Sequence, residues 1–266
     1  MLEALRQFIG RKIPLRLKIY HRALYNYYFG SEPELHLIRH ICNQNKVAID
    51  IGAHMGIYTY FLNTHSSACY SIEPNPELRE ILLQSFGRKI IILPYAMSDH
   101  GDQALLRIPI IADSQDRGRA TVESGNNLEG FLCEDLSVEC KRLDDLELPD
   151  VGIIKIDVEG HELAVLKGAR SLLERDKPAL IIESENRHRA NAVHDVHSFL
   201  ETLAYQCYFL HDGRLHPYSE FNANIHQNSN NVGDMGKVPG QVYVNNFIFL
   251  GNPKNYPGLR AYGISV

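Results

Sequence analysis

The chain contains few cysteines, and their arrangement is not that of a structural framework. They are Cys42, Cys69, Cys133, Cys140 and Cys207 among 266 residues. The number is odd and no C-x-x-C pair occurs, which argues against a disulfide framework and against a zinc ribbon. A reducing compartment is therefore the simpler interpretation.

Long apolar runs are also absent. No stretch approaches the ~20 consecutive apolar residues that cross a bilayer. The first 20 residues are interrupted by charge too often for the apolar region of a secretory signal peptide. We therefore expect a soluble, cytoplasmic protein. With 44% apolar and 22% charged residues, the composition excludes collagen, long coiled coils and wholesale disorder.

Negative charge dominates overall, but it is scarce at the start of the chain. The net charge is −5, yet residues 1–30 carry six basic side chains and one acid, so the remainder has a net charge of −10. An acidic body disfavours binding to nucleic acid. The basic segment either packs an apolar helix face on the domain or contacts a membrane surface or another anionic partner.

The first half of the chain alternates short apolar runs with helical patterns. We predict strands at 46–51, 68–72 and 90–93, separated by helices at 57–63 and 77–86, the second capped by Asn75. The first strand is apolar throughout, as is typical of a strand buried on both faces. This β-α-β-α-β order predicts a doubly wound α/β fold with a parallel sheet.

The second half resumes this pattern after an interruption. We expect an N-terminal helical extension at 1–45, a catalytic domain at 46–255, and a β insertion at 100–149 on the substrate side. After the insertion we predict strands at 152–156, 179–182, 207–210 and 242–250, helices at 161–174 and 193–204, and a mobile loop at 221–240. Lys155 lies inside a predicted strand and is expected to extend its charge to the sheet surface.

The turn after the first strand reads DIGAHMG over residues 50–56. Glycine after a buried strand permits a tight turn and lets a ligand approach the backbone, and the next helix presents free N–H groups. Glu73 ends the second strand, where a carboxylate in doubly wound folds accepts hydrogen bonds from ribose hydroxyls.

The dinucleotide fingerprint G-x-G-x-x-G is not satisfied. From Gly52 it needs glycine at positions 54 and 57, which are His54 and Ile57. The spacing D-x-G-x-x-x-G points away from nicotinamide dinucleotides and towards S-adenosylmethionine. Another Rossmann-type nucleotide-cofactor enzyme is the alternative at this stage.

Five segments in order carry a resemblance to a known family. They are VAIDIGAHMGIYT at 47–59, IEPNP at 72–76, YAMSD at 95–99, LDDL at 143–146 and IIKIDVEGHELAVLKGAR at 153–170. The series resembles the FkbM-type family of S-adenosylmethionine-dependent methyltransferases over about residues 30–185. The resemblance implies a class I methyltransferase fold, with a seven-stranded, mostly parallel sheet containing one antiparallel strand. It also implies O-methylation of a sugar, a glycan or another small natural product.

The resemblance also implies the cofactor-binding residues. Asp50, Gly52 and Ala53 are expected at the methionine end, Glu73 at the ribose, and Asp157 near the sulfonium. The full expected set is Asp50, Gly52, Ala53, His54, Gly56, Tyr58, Thr59, Glu73, Pro74, Asn75, Ala96, Met97, Ser98 and Asp157. Many relatives carry Asn where this chain has His54.

A hydroxyl acceptor requires a base near the transition state. The candidates are Asp157 and His161, with Glu183 and Glu185 as alternates, and histidine has a suitable pKa range. The histidines show no spacing that indicates a metal site, so we expect none. N-methylation or carboxyl methylation of a different acceptor stays open.

Overall fold

A large sheet forms the centre of the fold. The computed structural model describes residues 14–30, 32–111, 114–115, 117–124, 126, 128, 131–233, 236–238 and 240–264. The strands are β1 Val47–Ile51, β2 Cys69–Ile72, β3 Ile91–Leu93, β4 Ala96–Met97, β5 Gln103–Ile111, β6 Ser114–Gln115, β7 Leu132–Lys141, β8 Val151–Ile156, β9 Ala179–Glu183, β10 Gln206–His211, β11 Arg214–Pro217, β12 Val232–Gly233, β13 Gly236–Lys237 and β14 Asn246–Leu250.

Helices cover both faces of this sheet. The α-helices are α1 Leu15–Phe29, α2 Ile38–Ile41, α3 Ile57–His65, α4 Pro76–Phe86, α5 Glu162–Lys167, α6 Arg170–Asp176, α7 Ala192–Thr202 and α8 Ala223–His226. Short 3₁₀ helices occur at Pro33–Leu37, Gly87–Lys89, Arg117–Arg119, Leu143–Asp145, Tyr218–Glu220, Ser229–Asn231, Pro253–Asn255 and Pro257–Tyr262.

The strand order of the large sheet is β11-β10-β14-β9-β8-β1-β2-β3. From β9 to β3 all neighbours are parallel, whereas β14 is antiparallel to both β9 and β10. This confirms the doubly wound, mostly parallel sheet with an antiparallel strand near one edge. The hairpin partner β11 adds an eighth strand to the seven that the resemblance implies.

The apolar run at β1 explains why the sheet is buried on both sides. All five of its residues are buried. Ala48 packs into the core beneath α2, α3 and α4, whereas Ile49 packs into the core beneath α5, α6 and α7. Successive side chains of a strand point to opposite faces, so each face needs its own apolar layer.

A second, four-stranded sheet has the order β4-β7-β5-β6. Its main feature is a long antiparallel pair of β5 and β7, and it has a small core of its own that includes Leu106 and Val138. Thr121 pairs with Arg107 in an isolated bridge, which holds the segment after β6 against this sheet. Three of these strands, β5, β6 and β7, lie within the predicted insertion at 100–149, whereas β4 precedes it.

The single helix predicted at 161–174 is wrong, because the segment forms two helices, α5 and α6. The break lies at Gly168, where an added Cβ would come 1.9 Å from the carbonyl oxygen of Ser98. Asp144 then caps α6, since its carboxylate accepts hydrogen bonds from the backbone N–H groups of Ser171 and Leu172, each at 2.9 Å. Apolar periodicity continues through the break and therefore does not reveal it.

The N-terminal helix α1 is tied to the domain through few buried side chains. Only Ile19 and Ala23 of this described helix are buried. Tyr27 stacks on Phe61 of α3, with ring centroids 5.3 Å apart. Part of the basic segment, residues 1–13, lies outside the described residues. Among the helices that the structure describes, none is long and apolar enough to span a membrane.

Candidate active site

The glycine turn between β1 and α3 brings two strand ends into contact. Gly52 has φ of +77°, and an added Cβ would lie 1.8 Å from the carbonyl oxygen of Asp157. Gly56 has φ of +88° and packs against the ring of Phe86. Only glycine combines this backbone conformation with so little space. The turn therefore places the backbone of residues 52–56 beside the end of β8.

Asp50 is a buried anchor beneath this turn. The hydroxyl of Thr59 donates a 2.6 Å hydrogen bond to Asp50 Oδ2 and lies 3.0 Å from the hydroxyl of Ser71. Burial raises the pKa of Asp50 to about 6, although the hydrogen bond from Thr59 opposes that shift. Thr59 therefore connects the start of α3 to β1 and β2.

Glu73 lies at the end of β2 with both carboxylate oxygens engaged. Oε2 accepts a hydrogen bond from the backbone N–H of His54 and Oε1 from that of Asn75, both at 2.9 Å. Burial raises the pKa of Glu73 to about 7, against the effect of these hydrogen bonds. The side chain of Asn75 accepts from Glu77 N and confirms the predicted cap of α4.

His54 occupies a left-handed backbone conformation, with φ of +49°. Outside glycine, asparagine, aspartate and histidine adopt this region most readily. The conformation gives a physical reason why histidine is acceptable where the resemblance leads us to expect asparagine. The backbone N–H of His54 still reaches Glu73, so the turn keeps its geometry.

Two cavities lie beside the glycine turn at this edge of the sheet, and the larger of these two has a volume of about 230 Å³. Seven of the predicted cofactor residues line it, namely Gly52, His54, Glu73, Pro74, Ala96, Met97 and Asp157. The insertion contributes Leu106, Ala120, Thr121 and Val122 to the same cavity. The small sheet therefore closes over the carboxyl ends of the parallel strands.

A smaller cavity of about 90 Å³ lies on the other side of the turn. Six predicted residues line it, namely Asp50, Gly52, Ala53, His54, Tyr58 and Asp157. Gly52, His54 and Asp157 thus border both cavities. Glu32 and Lys155, which were not among the predicted site residues, complete its charged lining.

The remaining predicted cofactor residues lie behind the two cavities. Gly56, Thr59, Asn75 and Ser98 line neither of them. Thr59 holds Asp50, Asn75 donates to Glu73, and Ser98 is fully buried beside His161. These residues support the cavity walls.

Lys155 is a site residue that the sequence analysis missed. We expected its charge at the sheet surface, but the side chain is only 1% exposed. Its Nζ lies 3.5 Å from Asp157 Oδ2, 4.0 Å from Glu183 Oε2 and 3.2 Å from Asn246 Oδ1. The expectation was wrong because β8 lies in the middle of the sheet, where neighbouring strands and Tyr58 cover the lysine.

His161 is held by two partners at the start of α5. Its Nε2 lies 2.9 Å from the hydroxyl of Ser98, and its Nδ1 lies 3.0 Å from Glu123 Oε2. Neither cavity is lined by His161, whereas Asp157 borders both. His161 connects the insertion, through Glu123, to the end of β4.

A buried charged cluster around His188 lies next to the larger cavity. His188 Nδ1 lies 2.7 Å from Glu159 Oε2, and Glu159 lines the cavity. Glu185 accepts hydrogen bonds from Arg187 at 2.6 and 2.9 Å and from the hydroxyl of Tyr243. Glu159 lies shortly before the start of α5, and nothing in the local sequence pattern connects it to His188.

The alternate bases differ in their surroundings. Glu185 forms an ion pair with Arg187, and this pair lowers the pKa of Glu185 in spite of burial. Burial raises the pKa of Glu183 well above its usual value, with Asp157 contributing to the shift. Asn245 donates a 2.7 Å hydrogen bond to Glu183 Oε1. Within the described residues, no group of three or more His, Cys, Asp or Glu side chains suits a metal ion.

The sheet order, the glycine turn and the buried carboxylate after β2 are together those of a class I methyltransferase fold. A family model, the methyltransferase FkbM domain, matches residues 50–207. This match covers more than half of the chain, and the chain belongs to that family.

Individual relatives are more distant. The chain is 26% identical over 149 residues to the hexuronic acid methyltransferase AglP of Haloferax volcanii, covering 54% of this chain and 59% of AglP. A crystal structure of an FkbM methyltransferase from Methylobacillus flagellatus is 18% identical, covers 91% of this chain and 60% of that one, and has a TM-score of 0.49. The chain therefore spans about three fifths of the length of these two relatives.

A further solved structure was obtained with a bound ligand. It is SMU.1697c, a putative methyltransferase from Streptococcus mutans in complex with SAH, 11% identical to this chain. The match covers 82% of this chain and 96% of that one, with a TM-score of 0.44.

Proposed function

We propose that this protein transfers a methyl group from S-adenosylmethionine to a hydroxyl of a sugar, a glycan or another small acceptor. The observation that carries the proposal is the pair of cavities that meet at Gly52 and Asp157. An elongated ligand with an adenosine end and an amino-acid end requires two such spaces joined over one turn. Family membership supports the same cofactor.

The residues present fit this cofactor. Glu73, Ala96 and Met97 line the larger cavity, and we assign their side of it to the adenosine end and the side lined by Thr121 and Glu159 to the acceptor. The smaller cavity brings together Glu32, Asp50 and Lys155, a charged lining suited to a zwitterionic amino-acid end. When bound, S-adenosylmethionine supplies an activated methyl group. The protein has to orient the acceptor oxygen and exclude water.

The charges of the larger cavity favour an uncharged acceptor. Its titratable lining residues are His54, Glu73, Tyr95, Asp157 and Glu159, and no lysine or arginine occurs among the described residues that line it. A carboxylate acceptor would meet like charge there, which costs free energy at short distance. A hydroxyl is therefore preferred over carboxyl methylation. AglP is named a hexuronic acid methyltransferase, which supports a sugar as the acceptor class; because a hexuronic acid carries both hydroxyls and a carboxylate, the name does not decide which of the two is methylated.

The two predicted catalytic residues have different positions. Asp157 borders both cavities and lies beside the ammonium of Lys155, and we propose that its carboxylate lies close to the sulfonium. His161 lies behind the wall, and we propose that it orients Glu123 and Ser98. The Asp157→Asn variant is expected to lower turnover more than His161→Ala.

Calorimetry and methyl transfer test the proposal. We expect S-adenosylmethionine and its demethylated product to bind with micromolar affinity or better, and reduced nicotinamide cofactor not to bind. Transfer of a labelled methyl group is then measured on a panel of neutral sugars, hexuronic acids and lipid-linked glycans. Mild alkali releases label from a methyl ester and not from a methyl ether. Alkali-labile product would contradict hydroxyl methylation, and absence of binding to folded protein would contradict the cofactor assignment.

We further propose that α1 contacts an anionic membrane surface. Its side chains include Arg16, Lys18 and Arg22 and no acid. Large apolar side chains are exposed on the same helix, namely Leu17, Tyr20, Tyr25, Tyr28 and Phe29. A basic helix with exposed aromatic residues suits the headgroup region of an anionic bilayer. Arg22 Nη1 lies 3.0 Å from Met55 Sδ, so this surface is next to the cofactor turn.

Sedimentation with vesicles tests this contact. We expect binding to phosphatidylglycerol vesicles that decreases with salt, and little binding to phosphatidylcholine vesicles. Lys18→Gln is expected to weaken binding by about 1 kcal/mol. Lys167→Gln on α5 removes the same charge from the opposite face of the sheet and should have no effect. Equal effects of both variants, or self-association in place of vesicle binding, would refute the contact.

A further inference from the structure

We propose that Glu159 is the base that accepts the proton of the acceptor hydroxyl, and that His188 is a positioning residue for its carboxylate. This inference rests on the proposed function, since a base is needed only when the acceptor is protonated. Neither Glu159 nor His188 is among the candidate bases that the sequence suggests.

The backbone of Glu159 is held in a costly conformation. Its φ is +53°, in the left-handed region that is unusual for a residue other than glycine, asparagine or aspartate. The carbonyl oxygen of Glu159 accepts hydrogen bonds from the hydroxyl of Thr121 at 2.9 Å and from Asn126 Nδ2 at 2.5 Å. Both donors belong to the insertion. These contacts fix the backbone so that the side chain lies at the cavity wall.

The carboxylate of Glu159 combines access to the cavity with a fixed partner. It lines the larger cavity together with Asp157, and its side chain is only 15% exposed. On the far side, His188 Nδ1 contacts Glu159 Oε2 at 2.7 Å. The backbone N–H of His188 donates to the carbonyl oxygen of Glu185 at 3.1 Å, and the ring atom Nε2 lies 3.8 Å from Glu185 Oε1. An oriented carboxylate at a cavity wall is the arrangement that general base catalysis requires.

The charges around Glu159 raise its affinity for a proton. The acids near it are Asp157, Glu162, Glu183 and Glu185, and His188 is the cation that opposes them, with Arg187 beyond Glu185. Burial is the main reason that the pKa of Glu159 lies above its usual value. The other candidates His161, Glu183 and Glu185 are less suitable, since none of them lines the larger cavity, whereas Glu159 does.

The chemical step balances as follows. The acceptor oxygen forms a bond to the methyl carbon, and the electron pair of the broken carbon–sulfur bond goes to sulfur. The oxygen–hydrogen bond breaks and its proton goes to a carboxylate oxygen of Glu159. The products are the methyl ether, the neutral thioether and one proton, which leaves Glu159 for solvent after product release.

Steady-state kinetics of the full chain provide the first test. For Glu159→Gln we expect kcat to fall by about 10²- to 10⁴-fold, while calorimetry shows the demethylated cofactor bound within about threefold of wild type. For His188→Gln we expect a smaller loss of activity, which affects kcat more than KM. The pH dependence of kcat should also change. Glu174→Gln on α6 is the matched control, because Glu174 is exposed, pairs with Arg170 and does not line the cavity, and this variant should keep the wild-type kcat. Retention of more than half of the wild-type kcat by Glu159→Gln would overturn the inference.

A second test needs no acceptor. Glu159 raises the pKa of His188 against the effect of burial, so NMR titration of the histidine should show a lower pKa for His188 in Glu159→Gln than in wild type. An unchanged His188 pKa would overturn the pairing even if the acceptor is unknown. Failure of the wild-type protein to bind S-adenosylmethionine would contradict the proposed function. The titration would then still test the contact between Glu159 and His188.

Discussion

The two ends of the site are built in different ways. At the cofactor end, the turn 52–56 and Glu73 come from adjacent strands, and their contacts are mostly to the backbone. At the acceptor end, Glu159, Thr121 and His188 come from three separate segments, with the Thr121 hydroxyl on the Glu159 carbonyl oxygen and His188 on the Glu159 side chain. The first end is therefore specified by short sequence motifs, whereas the second depends on long-range packing.

Removal of the buried ammonium is expected to give the largest effect at the cofactor end. In Lys155→Met the carboxylates of Asp157 and Glu183 lose their cation in a site where Lys155 is fully buried. Breaking such a pair costs about 3–5 kcal/mol of the free energy of unfolding. Urea denaturation at pH 8 should show this loss.

A double variant separates charge from packing in this result. Lys155→Met combined with Glu183→Gln should recover part of the stability, because fewer carboxylates then lack a partner. For the single variant the loss should shrink as the pH falls, since Glu183 with its raised pKa becomes protonated in the folded state. A loss that is the same at pH 5 and pH 8 would indicate packing alone.

A methyl group at the glycine turn should impair both folding and cofactor binding. In Gly52→Ala the new Cβ would lie 1.8 Å from the Asp157 carbonyl oxygen, and about 1–3 kcal/mol of stability should be lost. Gly213→Ala is the control, because Gly213 has φ of +72° but no atom within 4 Å of the added Cβ. Thermal unfolding and calorimetry with the demethylated cofactor measure the two effects. Equal results for both variants would mean that strain, and not the contact, dominates.

Substitution of Glu73 should weaken the cofactor end without removing it. Glu73→Ala is expected to reduce cofactor affinity by about 1–3 kcal/mol through loss of a charge-assisted hydrogen bond. Glu77→Ala, in the exposed first turn of α4, should leave the affinity unchanged. Calorimetric Kd values decide the question, and equal affinities for wild type and Glu73→Ala would remove Glu73 from the site.

The smallest expected effect is a pH dependence of stability. The pKa of Glu73 is raised from 4.5 to about 7, so the folded state keeps the proton that the unfolded state releases. The contribution is fully present below the unfolded pKa and is lost as the pH rises towards the folded pKa. Between about pH 4 and pH 7, the free energy of unfolding should therefore fall by about 1–3 kcal/mol more in wild type than in Glu73→Gln. An unaltered pH profile would contradict the raised pKa.

Sequence reasoning accounts well for the elements that follow local rules. The apolar run of β1, the cap at Asn75 and the antiparallel strand near the sheet edge follow from periodicity, capping and the family resemblance. Seven predicted cofactor residues line the larger cavity, because one turn and two strand ends carry most of them.

The features that were missed depend on contacts between distant residues. Lys155 is buried among residues distant in sequence, since the Tyr58 ring lies 4.8 Å from its Nζ and Asn246 accepts its hydrogen bond. The break before α6 depends on close contact between Gly168 and Ser98. The pairing of Glu159 with His188 joins residues on either side of α5, α6 and β9, and no local periodicity indicates such a contact.

The hydrogen bonds from Thr121 and Asn126 to the Glu159 carbonyl also connect acceptor recognition with acid–base chemistry. Thr121 lines the cavity where the acceptor is expected and, with the same side chain, restrains the backbone of the proposed base. An exchange of residues 100–149 between relatives would therefore alter selectivity and rate together. A chimaera in which the exchanged segment still has Thr121 and Asn126 at these positions is expected to change its acceptor while retaining turnover.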